Sequence, residues 1–392
     1  MTSVSTRPKQ DGDKVPTRTT PSGWRRALSP RTAGVVYALV ALVVVLTITS
    51  SVQGRPPYLS SVNLSNILDQ ASLIGIMAVF MTIVLITGNF DLSVASTAAL
   101  SGTVALTLVD KQGVVIALLA ALLTGGVVGL VNAVLVQKVG VNAFIVTLGT
   151  LTAVRGVVQV ILDGKSITAT NPAFHEFATA RTALPRGVAI IIGILLCGTA
   201  IAMVLRKRAI GSVIGLVVFG VILVFIAIAQ PKLLAQTTPV WILLVLTVVT
   251  SAVLRYTVIG RNLYAVGGNP EAARLSGVDV DRYKMGAFIL NGLIAGVAGV
   301  LYAGRFNSVD PTVLTGGELT VIAAAVLGGT SLLGGSGYVA KSVAGALILF
   351  TLSNGFNVLN IGSNYQNVVQ GGVLVAAAAL YTATTLRRRR TR

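Results

Sequence analysis

The sequence predicts an all-α membrane protein: a polytopic transmembrane helix bundle of about 10–12 spans, some broken or re-entrant, with both termini cytoplasmic. Three observations point there. Hydrophobic residues make up 54% of the 392 residues and charged ones only 11%, whereas a soluble domain carries about a quarter charged residues. The mean hydropathy is +0.84, and the apolar residues fall in runs of roughly 18 to 22, the length that crosses a hydrocarbon core of about 30 Å. The net charge of +18 is gathered at the termini and in a few short loops and is nearly absent from the runs, as the cytoplasmic bias of Lys and Arg produces.

From the N-terminus, residues 1–32 are polar, rich in Pro, Thr and Arg, and contain Trp24-Arg25-Arg26 and Arg31. They read as a disordered basic tail, too long and too polar for a cleaved signal, and the run that follows reads as a retained first span. The membrane domain covers 33–386, and 387–392 is a second basic tail. Spans are expected at about 33–50, 67–87, 92–109, 114–136, 144–162, 187–205, 211–229, 239–254, 285–303, 318–333, 339–358 and 365–386. If these cross in turn from a cytoplasmic N-terminus, the inner loops hold Lys138, Arg206-Lys207-Arg208, and the 255–284 loop with Arg255, Arg261, Arg274, Arg282 and Lys284. The opposite loops balance Lys165, Arg181 and Arg186 with Asp163 and Glu176. Parity and charge therefore agree on the orientation.

Two apolar stretches are interrupted. Thr87-Gly88-Asn89-Phe90-Asp91-Leu92-Ser93 breaks one, and the Gly- and Ser-rich segment 328–337 breaks another. Non-helical backbone at membrane depth survives only where protein or a water-filled cavity satisfies its polar groups, so both segments are candidates for lining a pathway.

The loop 255–284 carries a short helix of its own. Asn269 suits the N-cap, Pro270 the first helical position, Glu271 the positive end of the dipole, and Gly277 the stop. A helix of about seven residues is marginal in water, so it needs something to pack against. A surface helix lying on its own membrane domain is one reading; a docking helix for a partner on the inner side is the sharper one.

Chemistry is hard to find in the chain. There is no Gly-x4-Gly-Lys-Ser/Thr phosphate loop. Cys197 lies alone in an apolar run and reads as a small buried hydrophobe; His175 sits in a polar loop without a second ligand for a metal. No catalytic residue, metal site or cofactor is expected, and no basic face with interleaved aromatics suggests nucleic acid.

Glu271-Ala272-Ala273, followed by Arg274 and then Gly277, resembles the "EAA…G" coupling loop of permease subunits in ATP-binding-cassette (ABC) importers. The later isoleucine and Leu-Pro of that motif are missing, a departure that points to the ribose/xylose/galactose branch of sugar permeases. Three further stretches resemble that branch: Gly88 to Ser93, Phe144-Ile145-Val146-Thr147-Leu148-Gly149-Thr150, and Ala323 to Ser331. The likeness runs in order over about 60–385, and the apolar pair near 187–229 resembles the longer xylose-type permease.

That resemblance implies a transport subunit of the bacterial inner membrane rather than an enzyme, importing xylose or another pentose or hexose. It implies three partners besides membrane lipid: an ABC ATPase subunit docked on the 269–284 loop, an extracytoplasmic sugar-binding protein, and a second permease copy. A neutral polyol needs passing hydrogen bonds, and Asn89, Asp91, Ser93, Thr147, Asn291 and Ser331 are the candidates to supply them. The same residue types also hold helices together. Asp91 suits a helix cap, Arg155 a structural pair with a carboxylate, and Glu318 a helix start. The rival reading is a secondary sugar transporter driven by an ion gradient, for which mid-membrane Asp91 and the broken helices are the supporting features.

Overall fold

The computed structural model describes residues 30–205 and 210–362, with isolated positions 365, 368, 369, 371, 372 and 375 beyond them. The N-terminal tail up to residue 29, the basic cluster at 206–208, most of the expected 365–386 span and the 387–392 run lie outside the described residues.

The described residues are mostly helical, and the long apolar runs among them form helices. In order it forms α1 (Pro30–Val52), α2 (Ser61–Ile86), α3 (Val94–Gln137), α4 (Ala143–Leu162), β1 (Ile167–Thr168), α5 (Pro172–Thr179), β2 (Arg181–Ala183), α6 (Arg186–Leu205) and α7 (Ile210–Ala229). A 3-10 turn (Pro231–Leu234), β3 (Ala235–Thr237), α8 (Thr238–Tyr256), α9 (Val258–Gly268), α10 (Pro270–Leu275), α11 (Val280–Phe306), β4 (Ser308–Val309), α12 (Gly317–Leu327) and α13 (Val339–Val358) follow. The strands are short clips: β1 pairs antiparallel with β4, and β2 with β3. Eight of the described helices are long and apolar enough to cross a membrane.

α3 is longer than any bilayer needs, and the reason is a reversal inside it. Gly113 takes φ 80 and ψ 170 within the helix. Residues 39 apart in a straight helix would lie about 58 Å from one another, yet Asn132 Nδ2 donates to Ser93 Oγ at 2.8 Å across that sequence separation. The two arms, 94–112 and 114–137, therefore double back on each other, as the separate spans at 92–109 and 114–136 predict.

Helices in lipid have no hydrophobic drive to associate, so close packing must hold them. α11 lies in the α3 hairpin with glycine backbone against glycine backbone: a Cβ at Gly125 would fall 2.2 Å from Gly292 O, and one at Gly102 would fall 2.8 Å from Gly299 O. α2 is apolar on every face and sits at the centre, with every residue from Ala71 to Thr87 buried. The α6–α7 pair stands to one side as a tight hairpin, closed where Gly193 meets Gly220 O. It is tied to the body through the β2–β3 clip and the bond from Leu184 N to Leu234 O.

Three sequence expectations change. The span at 318–333 is not one: α12 has 11 residues, about 16 Å of helix or half a bilayer, because Gly328-Gly329 end it. His175 belongs to α5 rather than a bare loop, and although exposed its Nδ1 lies 2.9 Å from Gly304 O. Cys197 is half-exposed in this chain, with its sulfur turned toward α7.

Candidate functional site

Three helix stops share one geometry. At the end of α2, Asn89 N donates to Val84 O and Gly88 N to Leu85 O, with Gly88 at φ +80. At the end of α12, Thr330 N donates to Ala325 O and Gly329 N to Val326 O, with Gly329 at φ +84. At the end of α10, Val278 N donates to Ala273 O and Gly277 N to Arg274 O, with Gly277 at φ +81. This paired bonding satisfies the last carbonyls and requires a left-handed residue, which glycine supplies without a Cβ clash. The first two stops create the breaks at 87–93 and 328–338; the third ends the helix in the 257–280 loop.

The first break is centred on a carboxylate. Asp91 Oδ1 accepts from Ser93 N at 2.9 Å and from Ser93 Oγ at 2.6 Å, which starts α3, and Asp91 Oδ2 accepts from Asn291 Nδ2 of α11 at 2.8 Å. Ser93 Oγ accepts from Asn132, whose Oδ1 accepts from Thr150 Oγ1 of α4 at 2.7 Å. One chain of bonds thus joins the break, both arms of α3, α4 and α11. Asp91, Ser93, Asn132 and Asn291 are all buried, and Asn291 Oδ1 has no hydrogen-bond partner among the described residues.

Of the six pathway candidates, the fold brings Asp91, Ser93 and Asn291 together. Asn89 lies beside them along the chain but turns its amide to Thr87 Oγ1 at 3.3 Å. Thr147 is buried with its hydroxyl returned to Ala143 O, and Ser331 belongs to the second break, where its Oγ accepts from Leu333 N. Asn132 and Thr150 complete the network and were not picked out from sequence. Asn132 is a lone amide in an apolar run, the one signal that marks it.

The second break is held by hydroxyls and backbone. Thr82 Oγ1 of α2 donates to Ser342 Oγ at 2.7 Å, Thr330 Oγ1 lies 3.3 Å from the same oxygen, and Gly335 N donates to Ile86 O at 2.9 Å. Glu318 stands in the first turn of α12 without a cap bond, its Oε2 buried and without a hydrogen-bond partner among the described residues. Arg155 faces protein as expected, but its guanidinium donates to the Val313 carbonyl rather than to a carboxylate; Glu318 and Asp310 lie within electrostatic reach.

Within the 257–280 loop the helix capped by Asn269 forms as its residues predict, and an 11-residue helix not expected from the sequence, α9, precedes it. Thr257 Oγ1 accepts from Gly260 N to open α9, and Asn269 Oδ1 accepts from Ala272 N at 3.0 Å to open α10, with Pro270 in its first turn. α10 touches the body through Ala273, which packs with Val266 and Val280, and through the Arg274–Asp281 ion pair at 3.0 Å. Glu271, Ala272 and Arg274 face outward, and Leu275 is 91% exposed. Behind it, α9 is tied down by Asn262 to Tyr283 Oη and by Tyr264 Oη to Gly337 O at 2.8 Å. Burial pushes the Tyr264 phenol above its ordinary range, which keeps the proton it donates.

A bundle of helices long and apolar enough to cross a membrane, with one half-length helix, two glycine-marked breaks packed against one another, and a capped helix projecting from one end, suits a transport permease. The comparisons agree. The family described as branched-chain amino acid transport system / permease component matches residues 63–378. The ribose import permease protein RbsC of Escherichia coli is 37% identical over 341 residues, 87% of this chain and 91% of that protein. The L-arabinose ABC transporter permease protein AraH of Azospirillum brasilense is 33% identical over 373 residues, 95% of this chain and 93% of that protein. The xylose transport system permease protein XylH of Escherichia coli is 34% identical over 366 residues, covering 90% and 93%. No solved structure matches. The chain belongs to this permease family, in its ribose/xylose-type branch of ABC permeases: a multi-pass protein of the bacterial inner membrane and a transport component rather than an enzyme.

Proposed function

We propose that the chain forms the membrane pathway of an ATP-driven monosaccharide importer and that α10 is the helix on which a separate ATPase subunit docks. The observation that carries this is α10 itself: a six-residue helix, capped at both ends, held to its own body by one buried alanine and one ion pair, and presenting Glu271, Ala272, Arg274 and a bare Leu275 outward. A helix this short does not persist in water by propensity alone. An outward leucine on a rigid projection suits a groove in a partner.

Both termini and the 257–280 loop then face the cytoplasm, a second copy of the chain completes the pathway, and an extracytoplasmic binding protein delivers the sugar. The broken segments supply transient hydrogen bonds: Asn291 Oδ1 and the Asp91–Ser93 pair at the first, Ser331 and Thr330 at the second. Xylose is the preferred cargo, supported by the likeness of the α6–α7 pair to the longer xylose-type permease; ribose and arabinose, named for the other relatives, are the alternatives, and the matches do not separate the three. Replacing Glu271 with Lys and Gly277 with Val is expected to abolish ATP-dependent uptake in vesicles and to release the ATPase on purification. Unchanged uptake with unchanged co-purification removes the docking role, and uptake driven by an ion gradient without any ATPase favours the secondary-transporter reading.

A further inference from the structure

The end of α9 meets both broken segments through backbone alone. A Cβ at Gly267 would lie 1.6 Å from Ile86 O and 2.8 Å from Gly335 N. Gly335 N itself donates to Ile86 O, and a Cβ at Gly334 would lie 2.7 Å from Gly267 O and 2.9 Å from Gly88 Cα. Gly88, Gly334 and Gly335 all hold left-handed backbone, at φ +80, +82 and +73. Three chain segments therefore converge with no side chain between them: the first break, the second break, and the last turn of α9. One turn earlier, Tyr264 Oη donates to Gly337 O and fixes the same helix to the second break again. Only Gly268 and Asn269 separate Gly267 from α10.

Side chains between two elements absorb small displacements by changing rotamer; backbone in direct contact has no such slack, and packed elements shift as units. We propose that Gly267, with Gly334 and Gly335, is a positioning joint that delivers the displacement of α10 to both broken segments at once, so that a docked partner moves the pathway through this contact. The inference rests on the reading of α10 as a docking helix. Gly268 provides an internal contrast, because a Cβ there would meet only Gly335 Cα at 4.0 Å, an ordinary contact. The same chemical change one residue along should be silent.

The test uses the full importer, this chain with its ATPase and binding protein, reconstituted in liposomes. Three quantities are measured for Gly267→Ala and Gly268→Ala: ATPase retained in the complex, ATP hydrolysis, and uptake of radiolabelled xylose, ribose and arabinose. Gly267→Ala is expected to keep the ATPase and its hydrolysis while uptake falls about tenfold or more, the size of a typical coupling between sites. Gly268→Ala is expected to stay near the parent in all three. Near-parental uptake by Gly267→Ala overturns the proposal, and so does an equal loss in both variants. If Gly267→Ala does not assemble, Tyr264→Phe decides: sugar moved per ATP should fall about fivefold with the complex intact, and an unchanged ratio overturns the joint. The docking reading fails separately, by full ATPase retention and full uptake when Leu275 is replaced with Glu, an outcome that leaves the two glycine variants interpretable.

Discussion

The two broken segments end their leading helices in the same way and are then held by opposite means. The break at 87–93 is anchored by side chains: Asp91 accepts from Ser93 and Asn291, and the chain of bonds continues through Asn132 to Thr150. The break at 328–338 is held by glycine backbone against Ile86 and Gly267 and by the clustered hydroxyls of Thr82, Thr330 and Ser342. A buried carboxylate fixed by three donors has one good arrangement, because any shift leaves charge and donors unsatisfied. The hydroxyls of Thr82, Thr330 and Ser342 can exchange partners among themselves. The difference teaches that the first break is internally rigid and shifts only as a unit, whereas the second can rearrange within itself; α9 touches both, the first through Ile86 and the second through Gly334, Gly335 and Gly337.

The largest expected effect follows from removing the anchor. Asp91→Ala strips the acceptor from two side chains and one amide that stay buried, and should cost about 3 kcal/mol or more, read as a lowered unfolding temperature of the purified chain in detergent. A cost near that of a surface substitution would erase the contrast between the breaks. Asn291→Leu, which removes one donor to Asp91, should cost about 2 kcal/mol. Combined with Asn132→Leu its effect should depart from additivity by about 1 kcal/mol, since both side chains serve one network. Thr82→Val, at the second break, deletes one hydroxyl bond to Ser342 and should cost only about 1 kcal/mol. If Thr82→Val proves as costly as Asp91→Ala, the second break is as rigidly anchored as the first.

Much of this was legible in the sequence because glycine marks it. Gly88, Gly277 and Gly328-Gly329 follow apolar or helical runs, and each is a stop in the fold. Asn269-Pro270-Glu271 opens a helix because cap, ring and charge all suit the first turn, and those preferences act locally. What the pattern did not reveal depends on distant contacts. The two arms on either side of Gly113 were legible as separate spans, but only the Ser93–Asn132 bond shows that the second arm bears part of the site. Segment 318–333 has the composition of a span, and Gly328-Gly329, read as part of the adjoining break, cut it to a half-helix. Leu275 attracts no notice in an apolar chain. It stands out once the fold leaves it bare on α10.

The most direct check on the central claim is substitution of that leucine in the assembled importer. Leu275→Glu leaves the contacts of Ala273 and Arg274 with the body untouched, so the chain should purify with unchanged yield and unfolding temperature. The account predicts that its ATPase no longer co-purifies and that ATP-dependent sugar uptake is lost. A Leu275→Glu chain that retains its ATPase and transports as the parent does would contradict it.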